Sequence, residues 1–153
     1  MTWHYQTAIE YVIAALNRDI LLEIRMADEC IQRASSLAQP YAHFQRLIVR
    51  CAASAMSNAT ALAAEVLSLG GVPRAYAYKQ RRRGRTRGAT SIEEYVVQAQ
   101  SLVAHYQERL AMAEKLGLLR LREVLQEIIA SKRSHMTHAV LVAAAGVSPR
   151  QLS

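Results

Sequence analysis

Basic side chains are concentrated in one short segment of this sequence. Fourteen residues beginning at Arg74 hold seven of the 19 Lys and Arg residues and no Asp or Glu. The seven are Arg74, Lys79, Arg81, Arg82, Arg83, Arg85 and Arg87. Arginine contacts phosphate through paired hydrogen bonds, and the tyrosines in this segment could stack on bases. The segment predicts sequence-nonspecific binding of a polyanion such as nucleic acid or an acidic protein, with a merely solubilising loop as the alternative.

A second group of residues has the chemistry of a metal site. Glu23 lies on an apolar stripe, where an unpaired carboxylate is costly, so it should have a partner such as an Arg, a His or a metal ion. His135 and His138 are three residues apart and could share a ligand face with Glu23 or His105 around a single metal ion. Structural or surface histidines are the alternative interpretation.

Composition restricts the class of protein. The chain of 153 residues fits one domain and excludes a multidomain enzyme. Apolar residues make up 52% of it, and the six Gly and three Pro are too few for the turns of a sandwich or barrel. Outside the basic segment, the remaining 12 Lys and Arg balance 12 Asp and Glu. Cys30 and Cys51 fall in apolar helical patterns without zinc-site spacing, which predicts buried thiols in a cytoplasmic protein.

Periodicity predicts four long amphipathic helices, and hence an all-α bundle. They span about 5–37, 40–69, 91–116 and 118–146. Gly70 and Gly71 followed by Pro73 should end the second helix, and Ser91 with Glu94 forms a capping box that begins the third. At about 1.5 Å per residue, the first helix would be about 48 Å long. The basic loop, at about 74–90, is long enough to run back along the bundle, so that the second and third helices lie parallel.

Three segments resemble the ferritin-like superfamily, and bacterioferritin in particular. Residues 16–23, LNRDILLE, are similar to the first-helix segment that ends in a metal-binding glutamate. Residues 69–73, LGGVP, and 123–127, EVLQE, are similar to the end of the second helix and to the approach to the fourth-helix metal motif. The resemblance implies a single ferritin-like four-helix bundle over residues 1–153, with one long crossover between helices 2 and 3.

The resemblance also shows which metal ligands are missing. A ferritin-like di-iron site takes one Glu from each of two helices and Glu-x-x-His from each of the other two. The second-helix motif falls at Ala55 and Asn58, and the fourth-helix motif falls at Ile128 and Ser131. No Glu-x-x-His occurs anywhere in the chain. Glu23 matches a family ligand, and the register decides whether Glu94 supplies the third-helix carboxylate, so the di-iron oxidase centre is interpreted as lost.

A haem site is the family feature that this chain could retain. In bacterioferritin a methionine directly after the second-helix Glu ligates haem from both subunits across a twofold axis, and the resemblance places Met56 there. Packing is the alternative role for that methionine. The cofactor expectation is therefore haem or a single metal ion rather than a di-iron centre.

Two functional hypotheses follow. The first is a non-catalytic ferritin-like protein in iron handling or stress protection, a haem-binding or structural subunit that assembles with itself or with a catalytically complete subunit. The second is a helical bundle that binds polyanions or nucleic acid through the Arg-rich loop. Neither requires an enzyme, and no apolar run reaches the roughly 18 residues of a membrane span.

Overall fold

Four helices make up the part of the chain that the structure describes. The computed structural model describes residues 2–36, 42–74 and 92–147. In these ranges the helices are α1 (Thr2–Ser36), α2 (Ala42–Ser68), α3 (Ile92–Lys115) and α4 (Leu119–Val147), without a strand. The four predicted helices are confirmed, and their ends differ from the predicted ones by a few residues. Most of the crossover lies outside the described residues.

Contacts at opposite ends of the helices show their directions. Gln45 of α2 donates to the carbonyl of Ala34 near the end of α1, whereas Ile13, near the start of α1, lies against Gly71 just after α2. These two helices are therefore antiparallel. The first helix is also antiparallel to α3. Arg33, near the end of α1, donates to Gln98 near the start of α3, whereas Asp19, earlier on α1, contacts Arg109, later on α3.

The second and third helices consequently run parallel, as the crossover length predicts. Both are antiparallel to α1. The fourth helix is antiparallel to α2, since Ser54 bonds to Ser131 at 3.0 Å and Glu65 contacts Arg120. One long connection and two short ones give the fold of a ferritin-like four-helix bundle.

Glycine ends the second helix. The amide of Gly71 donates to the carbonyl of Val66 at 2.9 Å, and the amide of Gly70 donates to that of Leu67 at 3.0 Å. This pair of hydrogen bonds requires a residue in the left-handed backbone conformation, and Gly70 supplies it with φ 86°. Gly117, with φ 69°, ends α3 in the same manner. The predicted stop signals are confirmed at both positions.

The core consists of two apolar clusters separated along the bundle axis. One contains Val12, Leu16, Leu62, Tyr106, Leu125 and their neighbours, and the other contains Cys30, Phe44, Ile48, Tyr95, Ala139 and theirs. Glu23 on α1, Asn58 on α2 and Lys132 on α4 lie between the two clusters along their helices. A belt of buried polar side chains therefore crosses the middle of an otherwise apolar core.

Outward-facing apolar residues occur on all four helices, including α2. It is the one helix in the described ranges that is long and apolar enough to cross a membrane, which is weak evidence because a core helix passes the same test. Its outer side exposes Val49, Met56 and Leu67 by about half or more. On α1, Ile31 is 48% exposed, because it lies at the edge of the apolar stripe and Cys30 takes the inward position.

Candidate functional site

The buried belt contains two carboxylates from one helix. Asp19 and Glu23 are four residues apart on α1, so both side chains project from the same face into the bundle. Asp19 is fully buried and Glu23 is 1% exposed. Burial of two ionised carboxylates costs several kcal/mol each unless other groups replace the lost water. The partners of these two residues therefore define what the site can do.

Glu23 is held by an ion pair and a phenol from opposite helices. The ammonium group of Lys132 on α4 lies 2.9 Å from Oε1 and 3.2 Å from Oε2 of Glu23. The hydroxyl of Tyr106 on α3 donates to Oε1 at 2.6 Å. The sequence predicted an Arg, a His or a metal ion as the partner, and this prediction is corrected to a lysine and a tyrosine. Both oxygens of Glu23 accept protein hydrogen bonds.

Tyr106 acts as a fixed proton donor in this group. Burial, reinforced by the neighbouring charge of Glu23, raises the pKa of its phenol well above the usual 10.0. The hydroxyl therefore keeps its proton and continues to donate to the carboxylate. The same ring lies 5.6 Å from the Lys132 ammonium, a distance at which its π face attracts the cation.

Asp19 is held by two side chains of α3. Arg109 donates from Nε to Oδ2 at 2.8 Å, and Nε2 of His105 lies 2.7 Å from Oδ1. His105 and Arg109 are four residues apart, so both face α1 from one side of α3. Burial acts to lower the pKa of Arg109, but the hydrogen bond that Arg109 donates to Asp19 and the charge of that carboxylate outweigh it, so the pKa is raised. Asp19 thus ties α1 to α3, while Glu23 also ties α1 to α4.

The charges in the belt balance. Two carboxylates contact two basic side chains, Lys132 and Arg109, so their charges cancel without an added ion. A cation that bound between the carboxylates would have to displace an ammonium or guanidinium group and would be repelled by it. Within residues 2–36, 42–74 and 92–147, no three His, Cys, Asp or Glu side chains form a group that could hold a metal ion.

The positions that correspond to the two Glu-x-x-His motifs lie inside the bundle. Ala55, Asn58 and Ile128 are buried at 1%, 9% and 2% exposure, and Ser131 is half-buried and bonded to Ser54. None of these four side chains carries a negative charge or an imidazole. The inward positions are therefore filled by methyl, amide, hydroxyl and aliphatic groups, and the amide nitrogen of Asn58 is buried without a hydrogen-bond partner in the part of the chain that the structure describes.

The other predicted ligands are spread over the bundle. Glu94 is exposed in the first turn of α3 and does not join the buried carboxylates. His138 is exposed, and His135 is half-buried on α4. His105 contacts Asp19 rather than Glu23. The proposed grouping of Glu23 with these histidines is therefore not observed among the described side chains.

A small cavity adjoins Lys132. It has a volume of about 20 Å³, enough for about one water molecule, and Met26, Cys51, Tyr95, Lys132 and His135 are among its lining residues. Burial raises the pKa of the Cys51 thiol, and the Tyr95 hydroxyl lies 2.8 Å from Cys51 Sγ. Burial and then the charge of Lys132 lower the pKa of His135.

The two remaining predicted sites are on the surface or outside the described residues. Met56 is 47% exposed on the outer side of α2. Arg74 is exposed, and its backbone amide donates to Asn17 at 2.8 Å, which positions the start of the crossover against α1. The other six basic residues, Lys79 to Arg87, lie outside the described ranges.

Sequence reasoning missed four of the belt residues: Asp19, Tyr106, Arg109 and Lys132. Two signals were present. Asp19 is one helical turn before Glu23 on the same stripe, and a charged residue on an apolar stripe requires a partner. Lys132 directly follows the inward position of Ser131. Nothing in the spacing of α3 or α4 identified which carboxylate each of these cations would contact.

Comparison with known proteins shows the fold. No protein family model matches the sequence, and no curated protein matches it. Among solved structures, the bacterioferritin of Desulfovibrio desulfuricans, studied for its diiron site in different catalytic states, matches with a TM-score of 0.76. The match covers 97% of this chain and 88% of that chain, at 17% identity. The predicted ferritin-like four-helix bundle is thereby confirmed.

Proposed function

We propose that this chain is a non-catalytic protein with a ferritin-like fold that serves iron handling or stress protection in the cytoplasm. The observation that carries the proposal is the Glu23–Lys132 ion pair in the middle of the bundle. The fold implies a pair of irons in this region, because the similar bacterioferritin has a diiron site. The residues present do not fit such a centre.

The donor set is the first reason. A di-iron site of this fold needs four carboxylates and two imidazoles directed inward. In the described helices the buried carboxylates are Asp19, Glu23 and Glu65, and each contacts a cation of this chain. Glu65, on α2, contacts Arg120 in the first turn of α4 and therefore lies outside the belt.

The charge of Lys132 is the second reason. Its ammonium group lies against Glu23 and Tyr106, and it balances the charge of the Glu23 carboxylate without an external ion. An internal pair of this kind makes the folded bundle independent of iron. The chain would therefore contribute a stable helical subunit rather than an oxidase centre.

Iron oxidation tests the proposal directly. Fe(II) is added to the chelator-treated protein in air, and oxygen uptake is recorded, with a bacterioferritin that has a diiron site as the positive control. We expect a rate equal to that in buffer. Saturable oxidation that disappears in Glu23→Gln would overturn the proposal, because it would show that the carboxylate remains available to iron.

Oligomerisation is a further part of the proposed function. The outer side of α2 carries Val49, Met56 and Leu67, with exposures of 48%, 47% and 62%, and no charged residue lies between Arg50 and Glu65. An exposed apolar face of this size requires cover. We expect it to pack against a second subunit, either another copy or a catalytically complete ferritin-like protein.

Haem is the cofactor that this surface would suit. Met56 presents its thioether outward and is one turn from the small residues Ala53 and Thr60, which leave room beside it. A thioether supplies axial ligation to haem iron. Titration with haemin should give a Soret band at one haem per two chains that is lost in Met56→Leu. An identical titration with Met56→Leu would assign this methionine to packing alone.

A further inference from the structure

A group of sulfur atoms lies on the α3 side of the belt, apart from the carboxylates. Cys30 Sγ is 3.8 Å from Met26 Sδ, one helical turn earlier on α1. Cys51 of α2 belongs to the same apolar cluster and lines the small cavity together with Met26. Burial raises the pKa of the Cys30 thiol, and the charge of Cys51 adds to that rise. Two thiols and a thioether from two helices thus belong to one apolar cluster.

We infer that Met26, Cys30 and Cys51 form a binding site for a soft monovalent metal ion, Cu(I). Thiolate and thioether sulfur are the ligands that select Cu(I), whereas Fe(II) prefers oxygen and imidazole. The site uses different side chains from the ion-pair belt, although Lys132 also lines the cavity beside Met26 and Cys51. The absence of a cluster of three His, Cys, Asp or Glu in the described residues is consistent with it, because one ligand is a methionine.

The separation of the sulfur atoms suits a shared ion. Metal–thiolate bonds are about 2.3 Å long, so two sulfurs 3.8 Å apart subtend an angle of roughly 111° at a common ion. That angle is compatible with a three- or four-coordinate ion. The third ligand would come from Cys51 across the α1–α2 contact, and the adjoining cavity of about 20 Å³ provides space for a single ion.

Tyr95 supports a thiolate at Cys51. It can donate its hydroxyl to Cys51 Sγ over 2.8 Å, a contact that stabilises the deprotonated sulfur. Burial raises the pKa of both thiols, so binding of the metal has to displace their protons. On binding, Cu(I) would form a bond to each sulfur, and the two thiol protons would pass to solvent. The copper keeps its oxidation state, so no electron donor or acceptor is required.

Half-buried residues give the ion a route of entry. Ser54 and His135 line the same cavity and are partly accessible to solvent, unlike Cys30, which is fully buried. An ion that entered beside His135 would meet Cys51 and Met26 before Cys30. Release of two protons predicts that binding tightens as the pH rises.

Competition with a chromogenic Cu(I) chelator tests the inference. The reduced protein receives Cu(I) under argon, and circular dichroism verifies that each variant is folded. We expect one tightly held Cu(I) per chain, loss of this binding in Cys30→Ser and Cys51→Ser, and about tenfold weaker binding in Tyr95→Phe. Met112→Leu is the matched control, because its thioether packs against the other apolar cluster, and it should bind Cu(I) as the wild type does.

A second measurement keeps the result clear if the cysteine variants unfold. Met26→Leu conserves volume and is expected to fold. Cu(I) should raise the melting temperature of the wild type and of Met112→Leu, and should raise it less in Met26→Leu. Absence of stoichiometric binding, or equal binding by the wild type and all sulfur variants, would overturn the inference. Neither outcome bears on iron oxidation, so the two proposals succeed or fail separately.

Discussion

Lys132 Nζ lies 2.9 Å from Glu23 Oε1 in the middle of the bundle, between the two apolar clusters of the core. Side-chain exposures of 10% and 1% show that water contributes little to either charge. Each group therefore depends on the other for its stabilisation. This relationship connects the first helix to the fourth and accounts for the isolated carboxylate on the α1 stripe.

Removal of one partner of this pair should be costly. Lys132→Met or Glu23→Leu leaves a buried charge uncompensated and should lower the free energy of unfolding by about 3–5 kcal/mol. The double variant should recover most of that loss, since an apolar pair of similar volume needs no desolvated charge. Urea denaturation of all four proteins measures the cycle.

Exposed charges provide the control for that cycle. Lys115→Met and Glu108→Gln on α3 should each change stability by less than about 0.5 kcal/mol. Additive losses from Glu23→Leu and Lys132→Met in the double variant would contradict a direct interaction between the two charges.

Asp19→Asn should weaken the contact between α1 and α3. The change removes the charge that Arg109 and His105 both contact, and loss of a hydrogen bond to a charged group costs about 1.5–3 kcal/mol. Arg109→Met should have little additional effect in the Asp19→Asn background, because the shared interaction is already lost. Glu10→Gln, which changes an exposed carboxylate on α1, is the control. Thermal melting compares the variants. If Glu10→Gln lowered the melting temperature as much as Asp19→Asn, the loss could not be assigned to the contact with Arg109 and His105.

Two neighbouring glycines should respond differently to alanine. A Cβ on Gly71 would lie 2.6 Å from Ile13 Cγ2, so Gly71→Ala forces α1 and α2 apart and should cost about 1–3 kcal/mol. Gly70→Ala meets no atom within 4 Å, but φ +86° strains it by about 1–2 kcal/mol. Ile13→Ala should reduce the cost of Gly71→Ala and leave that of Gly70→Ala unchanged. Equal effects of Ile13→Ala on both would contradict the steric explanation.

His135 should make stability depend on pH below neutrality. Burial and then Lys132, with smaller effects from His138 and Arg50, lower its pKa from 6.5. The unfolded chain therefore binds the proton more readily than the folded one. The His135 contribution is complete above pH 6.5 and decreases as the pH falls through that value toward the lower folded pKa. His135→Gln should flatten this part of a stability profile, whereas His43→Gln, on the exposed side of α2, should not; identical slopes would contradict the prediction.

The helices and the inward direction of Glu23 could be predicted from the sequence. Both depend on local features of the sequence, which are the period of the apolar residues and the glycines that end α2 and α3. The absence of Glu-x-x-His is likewise visible in the sequence alone. The partner of Glu23 could not be predicted, because Lys132 is 109 residues away and Tyr106 is 83 residues away. Their meeting depends on the rotation and axial stagger of α3 and α4 against α1.

By itself, the sequence determined that this protein is a helical bundle with one long crossover and that it contains no Glu-x-x-His, since residue types and periods are properties of each segment alone. Only the tertiary structure decided that Lys132 and Arg109 contact the buried carboxylates, and that Met26, Cys30 and Cys51 belong to one apolar cluster. Such contacts form where separate helices pack at a particular register. That register results from the combined packing of the whole core rather than from any one segment.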